Sequence, residues 1–203
     1  MLRRLVGVAV IVCSLLLSGC ATVSNMQLTH RDKINEKFAN LGSVQIASFY
    51  DYRPQKEMRE FQGKNKYTTY PVILSGYSKP PVTKYLRGVL INEAQRTGIF
   101  NTKSETPEYT MTGIIYSMAT GDTDKVADSN DKAQSRVYNF ARVKILAVLR
   151  RNGKIVFRKT VSLNDTKPTL KNFDVKTQAR MLDSLTTKAV RELYSDMEYR
   201  LKH

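Results

Sequence analysis

The sequence predicts an α+β fold, a two-layer sandwich in the order β-α-β-β-β-α with a mainly antiparallel sheet, preceded by a signal peptide and a tether. Three observations carry this expectation. The stretch "RVYNFARVKILAVLRRNGKIVFRKTVSL" (136–163) alternates apolar and polar residues on both sides of Asn152-Gly153, the pattern of a β-hairpin. "PPVTKYLRGVLINEAQRTG" (80–98) and "DVKTQARMLDSLTTKAVRELYSDMEYRLKH" (174–203) instead repeat apolar residues at helical spacing. Elements of both kinds in this order bury their apolar surfaces by laying helices on a sheet.

The elements follow in chain order. "SVQIASFY" (43–50) is the first strand, with Val44, Ile46 and Ser48 alternating against Gln45, Ala47 and Phe49. Residues 51–81 are irregular, with four prolines, and a loop this long inside one domain is often functional. Within it "KYTTYPVIL" (66–74) suits a pleated surface and is read as an extra strand. The first helix runs from Pro81, suited to a first turn, to Thr97, with Val82, Leu86, Val89, Leu90 and Ala94 inward and Gly98 as a left-handed stop. "YTMTGIIYSMATG" (109–121) is the second strand. The third places Val137, Ala141, Val143, Ile145, Ala147 and Leu149 on one face and Arg136, Tyr138, Arg142 and Lys144 on the other. The fourth returns with Ile155, Phe157, Val161 and Leu163 on one face, and the alternation leaves the opposite face wet or covering something polar. Asp174 caps a long C-terminal helix whose stripe is Leu182, Leu185, Ala189, Leu193 and Met197.

Ahead of this domain, Met1-Leu2-Arg3-Arg4 and the apolar run "LVGVAVIVCSLLL" (5–17) form the charged and apolar regions of a signal peptide. The run is shorter than the about 20 residues a membrane helix needs. It ends in Leu17-Ser18-Gly19-Cys20, which resembles the lipobox of bacterial lipoproteins. The resemblance implies a diacylglycerol thioether on Cys20, cleavage before Cys20, and an N-acyl chain such as palmitate on the new terminus. Because Ala21 rather than aspartate follows the cysteine, it also implies an outer-membrane lipoprotein facing the periplasm. The domain organisation is then signal peptide 1–19, lipid-anchored tether 20–42, and a single periplasmic domain over 43–203.

Removing 19 residues from 203 leaves 184, with 31 basic against 18 acidic side chains, a charge of +13. Such a charge favours an anionic partner: lipid headgroups, lipopolysaccharide, wall polymer or an acidic envelope protein, with nucleic acid excluded by compartment. Cys13 leaves with the signal peptide and Cys20 carries lipid, so no disulfide is expected.

Enzymatic chemistry lacks a scaffold. Only His30 and His203 exist, one in the tether and one at the C-terminus, so neither a Ser-His-Asp triad nor a histidine metal site can be assembled. Ser75 lacks the glycine pattern of a nucleophile elbow. The acidic segment "GDTDKVADSNDKA" (121–133) has Val126 and Ala127 where a calcium loop needs an oxygen ligand and a glycine, and reads as a solvated hairpin loop. A hydrolase would require a carboxylate pair that no spacing selects. Neither an enzyme nor a bound metal or cofactor is expected. Two basic surfaces remain: Arg53, Lys56, Arg59, Lys64 and Lys66 in the irregular segment, interleaved with Tyr52, Phe61, Tyr67 and Tyr70, and Arg136, Arg142 and Lys144 on the central strand. Each could grip anionic headgroups or an acidic protein, or be an ordinary solvated surface.

The lipobox together with the strand-helix-three-strand-helix order is similar to small envelope lipoproteins, among them the lipopolysaccharide-assembly lipoprotein and the auxiliary lipoproteins of ABC-type lipid transporters. The resemblance implies a non-enzymatic accessory subunit of a transport or assembly complex. The alternative is a free-standing binder of anionic lipid or cell-wall polymer through the basic, aromatic-containing loop.

Overall fold

A computed structural model describes residues 37–54, 70–72, 81–125, 136–169 and 175–203. These residues form, in chain order, β1 (Val44–Ile46), β2 (Tyr50–Asp51), β3 (Tyr70–Val72), α1 (Val82–Thr97), β4 (Tyr109–Lys125), β5 (Arg136–Arg151), β6 (Lys154–Thr169) and α2 (Val175–Lys202). The fold is α+β, as its sequence predicts. β4, β5 and β6 are long antiparallel neighbours. β1 and β2 line the other edge of β4 in parallel, and β3 continues that edge in the antiparallel sense, so the sheet is mixed.

Both helices pack on one side of the sheet. α2 lies against β4, β5 and β6, while α1 packs on α2 and on β1 and β2. Between the layers sit Met111, Ile115, Met118, Val143, Ile145 and Leu149 from the sheet, and Leu86, Leu90, Leu182, Leu193 and Met197 from the helices, all fully buried. Each such side chain contributes about 1.5–3 kcal/mol on leaving water. The helix ends follow local chemistry. Gly98 at φ 80° closes α1, its N–H reaching the Ala94 carbonyl at 3.0 Å. Asn152 (φ 51°) and Gly153 (φ 77°) take the two left-handed positions of the β5–β6 turn.

Several expectations are corrected. The first strand breaks after Ile46 and resumes at Tyr50; the break changes its phase and buries Phe49, which simple alternation turned outward. β4 runs on to Lys125, so Asp122 and Asp124 pair with β5 at Asn139 and Val137 and lie in a strand rather than in a loop. β6 extends to Thr169 through Pro168, which an edge strand accepts because no neighbour needs its missing N–H. Ile155 leaves the apolar face: Leu149 pairs with Phe157 but Arg150 with Ile155, so Val156 is an unpaired bulge and the alternation inverts across it. Residues 38–41, within the stretch expected as tether, are bonded to the domain. Phe38 N–H and Leu41 N–H donate to the carbonyls of Thr97 and Ile99, Ala39 N–H donates to Glu198 Oε1 at 2.7 Å, and Phe38 and Leu41 pack on the core. The extra strand expected over 66–74 is represented by β3, and Asp174 and Cys20 lie outside the described residues.

A buried polar seam joins the helices. Glu93 on α1 accepts from Arg96 (Nη2 at 2.6 Å) and from Arg191 on α2 (Nε at 2.9 Å). Tyr85 donates to Asp183 at 2.6 Å, and Tyr194 donates to the Leu90 carbonyl at 2.7 Å. Burial first, and the Glu93 charge second, push the Tyr194 phenol well above its ordinary value. Lys159, turned toward α2, is held above its ordinary value chiefly by its hydrogen bond to Asp196 and further by Glu192 at 3.3 Å.

Candidate functional site

The sheet face opposite the helices is the candidate site, because no described element covers it. Cross-strand partners share a face, and the partners of core residues mark the inner one: Met111 with Leu149, Ile115 with Ile145, Met118 with Val143. The alternate positions look outward. They are Thr110, Thr112, Ile114, Ser117 and Ala119 on β4; Arg142, Lys144, Leu146, Val148 and Arg150 on β5; and Ile155, Arg158, Thr160, Ser162 and Asn164 on β6. Four of these are cations and none is a carboxylate.

The side chains on this face are ordered by their neighbours. Lys144 Nζ sits 5.8 Å from the centroid of Tyr116, the residue bulged out between Ile115 and Ser117. Tyr116 meets Tyr52 edge-on at 6.4 Å. Arg150 Nη1 donates to Thr112 Oγ1 at 2.8 Å, and Arg142 Nε donates to Asn164 Oδ1 at 3.2 Å. Leu146 and Val148 lie between the cations and are themselves nearly buried. The result is a surface of fixed positive charge over an apolar and aromatic floor. It suits an anionic partner with flat apolar parts, through charge-assisted hydrogen bonds and cation–π contacts.

The expected site residues fall into four groups. Arg142 and Lys144 are exposed together on the open face, and the structure adds Arg150 and Arg158. Arg150 continues the parity of Arg142 and Lys144 along β5, and Arg158 alternates with the inward Phe157 on β6, so both are legible from strand parity; Ile155 belongs to the face because of the Val156 bulge. Arg136 pairs in register with Lys125 at the far end of β5. Lys56, Arg59, Lys64 and Lys66 lie outside the described residues. Arg53, expected to face an anionic partner, is instead buried. Its Nε and Nη2 donate to the two carboxylate oxygens of Asp51 at 2.8 and 2.7 Å, and Nη1 donates to the Met118 carbonyl at 3.3 Å. It pins β2 to β4 and has no face toward solvent.

Asp51 is held below its ordinary value of 3.8: burial raises it, and the Arg53 guanidinium lowers it by more. A lowered carboxyl contributes stability that is complete above its ordinary value and is lost as pH falls through the lower folded value. Asp51→Asn is therefore expected to cost about 1–3 kcal/mol at neutral pH, with the deficit shrinking below about pH 4. Urea melts of both proteins at neutral and acid pH check this; a deficit independent of pH would contradict it.

Among the described residues, no group of three or more His, Cys, Asp or Glu is placed to hold a metal ion, and no helix is long and apolar enough to cross a membrane.

Neither a family model nor a curated protein matches the sequence. Solved structures do match. A Xanthomonas campestris protein of the family model DUF330 superposes with a TM-score of 0.57 at 11% identity, over 87% of this chain and 95% of that one. A PelC dodecamer from Paraburkholderia phytofirmans gives 0.42 at 12% identity, covering 83% and 96%. A minor lipoprotein from Acinetobacter baumannii gives 0.41 at 8% identity, covering 58% and 86%. The Xanthomonas protein shares the fold; identities this low carry no activity across.

Proposed function

We propose that this chain is a lipid-anchored, non-enzymatic accessory subunit of a membrane transport or assembly complex, held by acyl chains on Cys20 at the periplasmic side of the outer membrane. The observation that carries the reading is the uncovered sheet face, where four cations stand on an apolar floor with no carboxylate among them. A surface of this kind is a docking face for an acidic partner rather than a reaction centre, and the lipobox motif Leu17-Ser18-Gly19-Cys20 supports its delivery to the envelope. The second reading, a free-standing binder of anionic lipid or wall polymer, is favoured by the Tyr52–Tyr116–Lys144 cluster, since ring faces also suit sugars and headgroups.

Crosslinking and affinity capture from detergent-solubilised envelopes, with mass spectrometry of proteins and lipids, distinguishes the two. A stoichiometric membrane-complex subunit is the expected result; anionic lipid or wall fragments alone would overturn the accessory role. In the same preparation, Cys20→Ala is expected to move the protein into the soluble fraction after a salt wash without changing its melting temperature, because Cys20 precedes the folded domain in sequence. Acyl chains hold it by about 0.8 kcal/mol per buried CH2, and several chains make the attachment persistent. A Cys20→Ala protein that still pellets after the wash would refute the lipid anchor.

A further inference from the structure

We infer that the tip of the β5–β6 hairpin is a second membrane contact, an interfacial wedge that meets an anionic bilayer surface beside the lipid anchor. The inference rests on the lipid-anchor reading of Cys20. A regular ladder would have turned Ile155 into the core, but the bulge at Val156 leaves Ile155 54% and Val156 38% exposed, side by side. Single exposed apolar residues are ordinary on any surface. Two adjacent β-branched ones at a tip are a concentrated apolar edge, and bulges are built features that re-aim side chains.

Charge selects the surroundings. The tip reads Arg150-Arg151-Asn152-Gly153-Lys154-Ile155-Val156, three cations and no carboxylate within seven residues. Arg151 lies 5.5 Å from the Tyr109 ring and keeps half its side chain in solvent. Cations flanking a short apolar edge match the boundary of an anionic bilayer, where headgroup phosphates lie just outside the acyl region.

Position selects the membrane as the occupant. The chain arriving from Cys20 joins the domain at this same end. Val44 pairs with Tyr109 and Tyr109 with Arg151, so the first strand is two strand spacings, about 10 Å, from the tip. Gly42 lies against Glu108, and Glu108 Oε2 accepts from Arg151 Nη2 at 3.4 Å. Ala39 bonds Glu198, which places the end of α2 and Tyr199, 70% exposed, at this pole as well. From Cys20 to Lys37 is 17 residues, a reach of at most about 60 Å. The opposite end of the sheet, where β4 gives way to β5, lies farther away by the length of β4, about 55 Å. The hairpin tip is thus on the end of the domain at which the anchored chain enters it.

The test uses the full acylated protein, carrying Val156→Cys labelled with an environment-sensitive fluorophore and reconstituted into vesicles containing nitroxide-bearing lipid. Its control is the same label at Ser162→Cys, exposed on β6 but away from the tip. In phosphatidylethanolamine–phosphatidylglycerol vesicles, quenching at position 156 is expected to be at least twofold that at 162. The excess should disappear in phosphatidylcholine vesicles and on adding Arg151→Glu with Lys154→Glu. Equal quenching at both positions, in protein that still floats with the vesicles, overturns the wedge and leaves the anchor standing. Protection of the tip in native envelopes but not in vesicles assigns it to a protein partner and overturns the wedge too. A protein that neither floats nor carries acyl groups on Cys20 removes the anchor, and the wedge with it.

Discussion

Replacing Glu93 by Ala is expected to destabilise the fold by roughly 3–5 kcal/mol, a large part of the 5–15 kcal/mol by which domains are stable. Glu93 is fully buried and holds two guanidinium groups, Arg96 at 2.6 Å and Arg191 at 2.9 Å. Arg96 can turn to water, since a quarter of its side chain is already there. Arg191 cannot: it is 7% exposed, and its Nη2 has no hydrogen-bond partner among the described residues. Without Glu93 the Arg191 charge stays in the helix–helix interface without the carboxylate it pairs with among the described residues. Desolvation then acts in full, whereas the intact pair offsets most of it. A urea titration should show a lower midpoint with an unchanged slope. The companion variant Glu93→Leu with Arg191→Leu should recover most of the loss, because an apolar pair leaves no charge unpaired. A Glu93→Ala protein within about 1 kcal/mol of the parent would show that Arg191 reaches water.

Gly113→Ala is expected to cost about 3 kcal/mol, the upper range for overpacking. A Cβ there would lie 2.0 Å from the Leu146 carbonyl oxygen and 2.2 Å from the Phe49 ring. The ring could rotate away, but the carbonyl belongs to β5, a strand flanked on both sides in the sheet. At 2–4 °C per kcal/mol for a chain of this size, the melting temperature should fall by about 6–12 °C. Adding Phe49→Ala to Gly113→Ala should cost less than the sum of the two single changes, since the ring no longer contributes to the clash. Strict additivity would locate the whole clash at the carbonyl.

Elements with a strong internal period are legible in the order of residues alone. The alternation from Ala141 to Leu149, the Asn152-Gly153 turn, the Gly98 stop and the stripe from Leu182 to Met197 all concern residues a few positions apart, and their folded burial follows the pattern. The open face is mostly legible: parity along β5 puts Arg142, Lys144 and Arg150 together and parity along β6 adds Arg158, but Ile155 joins them only because one residue of β6 is left unpaired.

The amino-acid order thus dictates local matters: the strands, helices and turn of the domain, its excess positive charge, and the motif at Cys20 on which the envelope reading rests. Tertiary packing settles what each charge does. Arg53 and Arg142 are both arginines in basic stretches, yet one is clamped by Asp51 inside the fold and the other faces solvent on the open sheet. Glu93 meets Arg191 across 98 residues of chain. Periodicity reports which way a side chain points relative to its neighbours in sequence. Whether a counter-charge waits there depends on strand register and helix approach, and a single bulged residue is enough to reverse the answer.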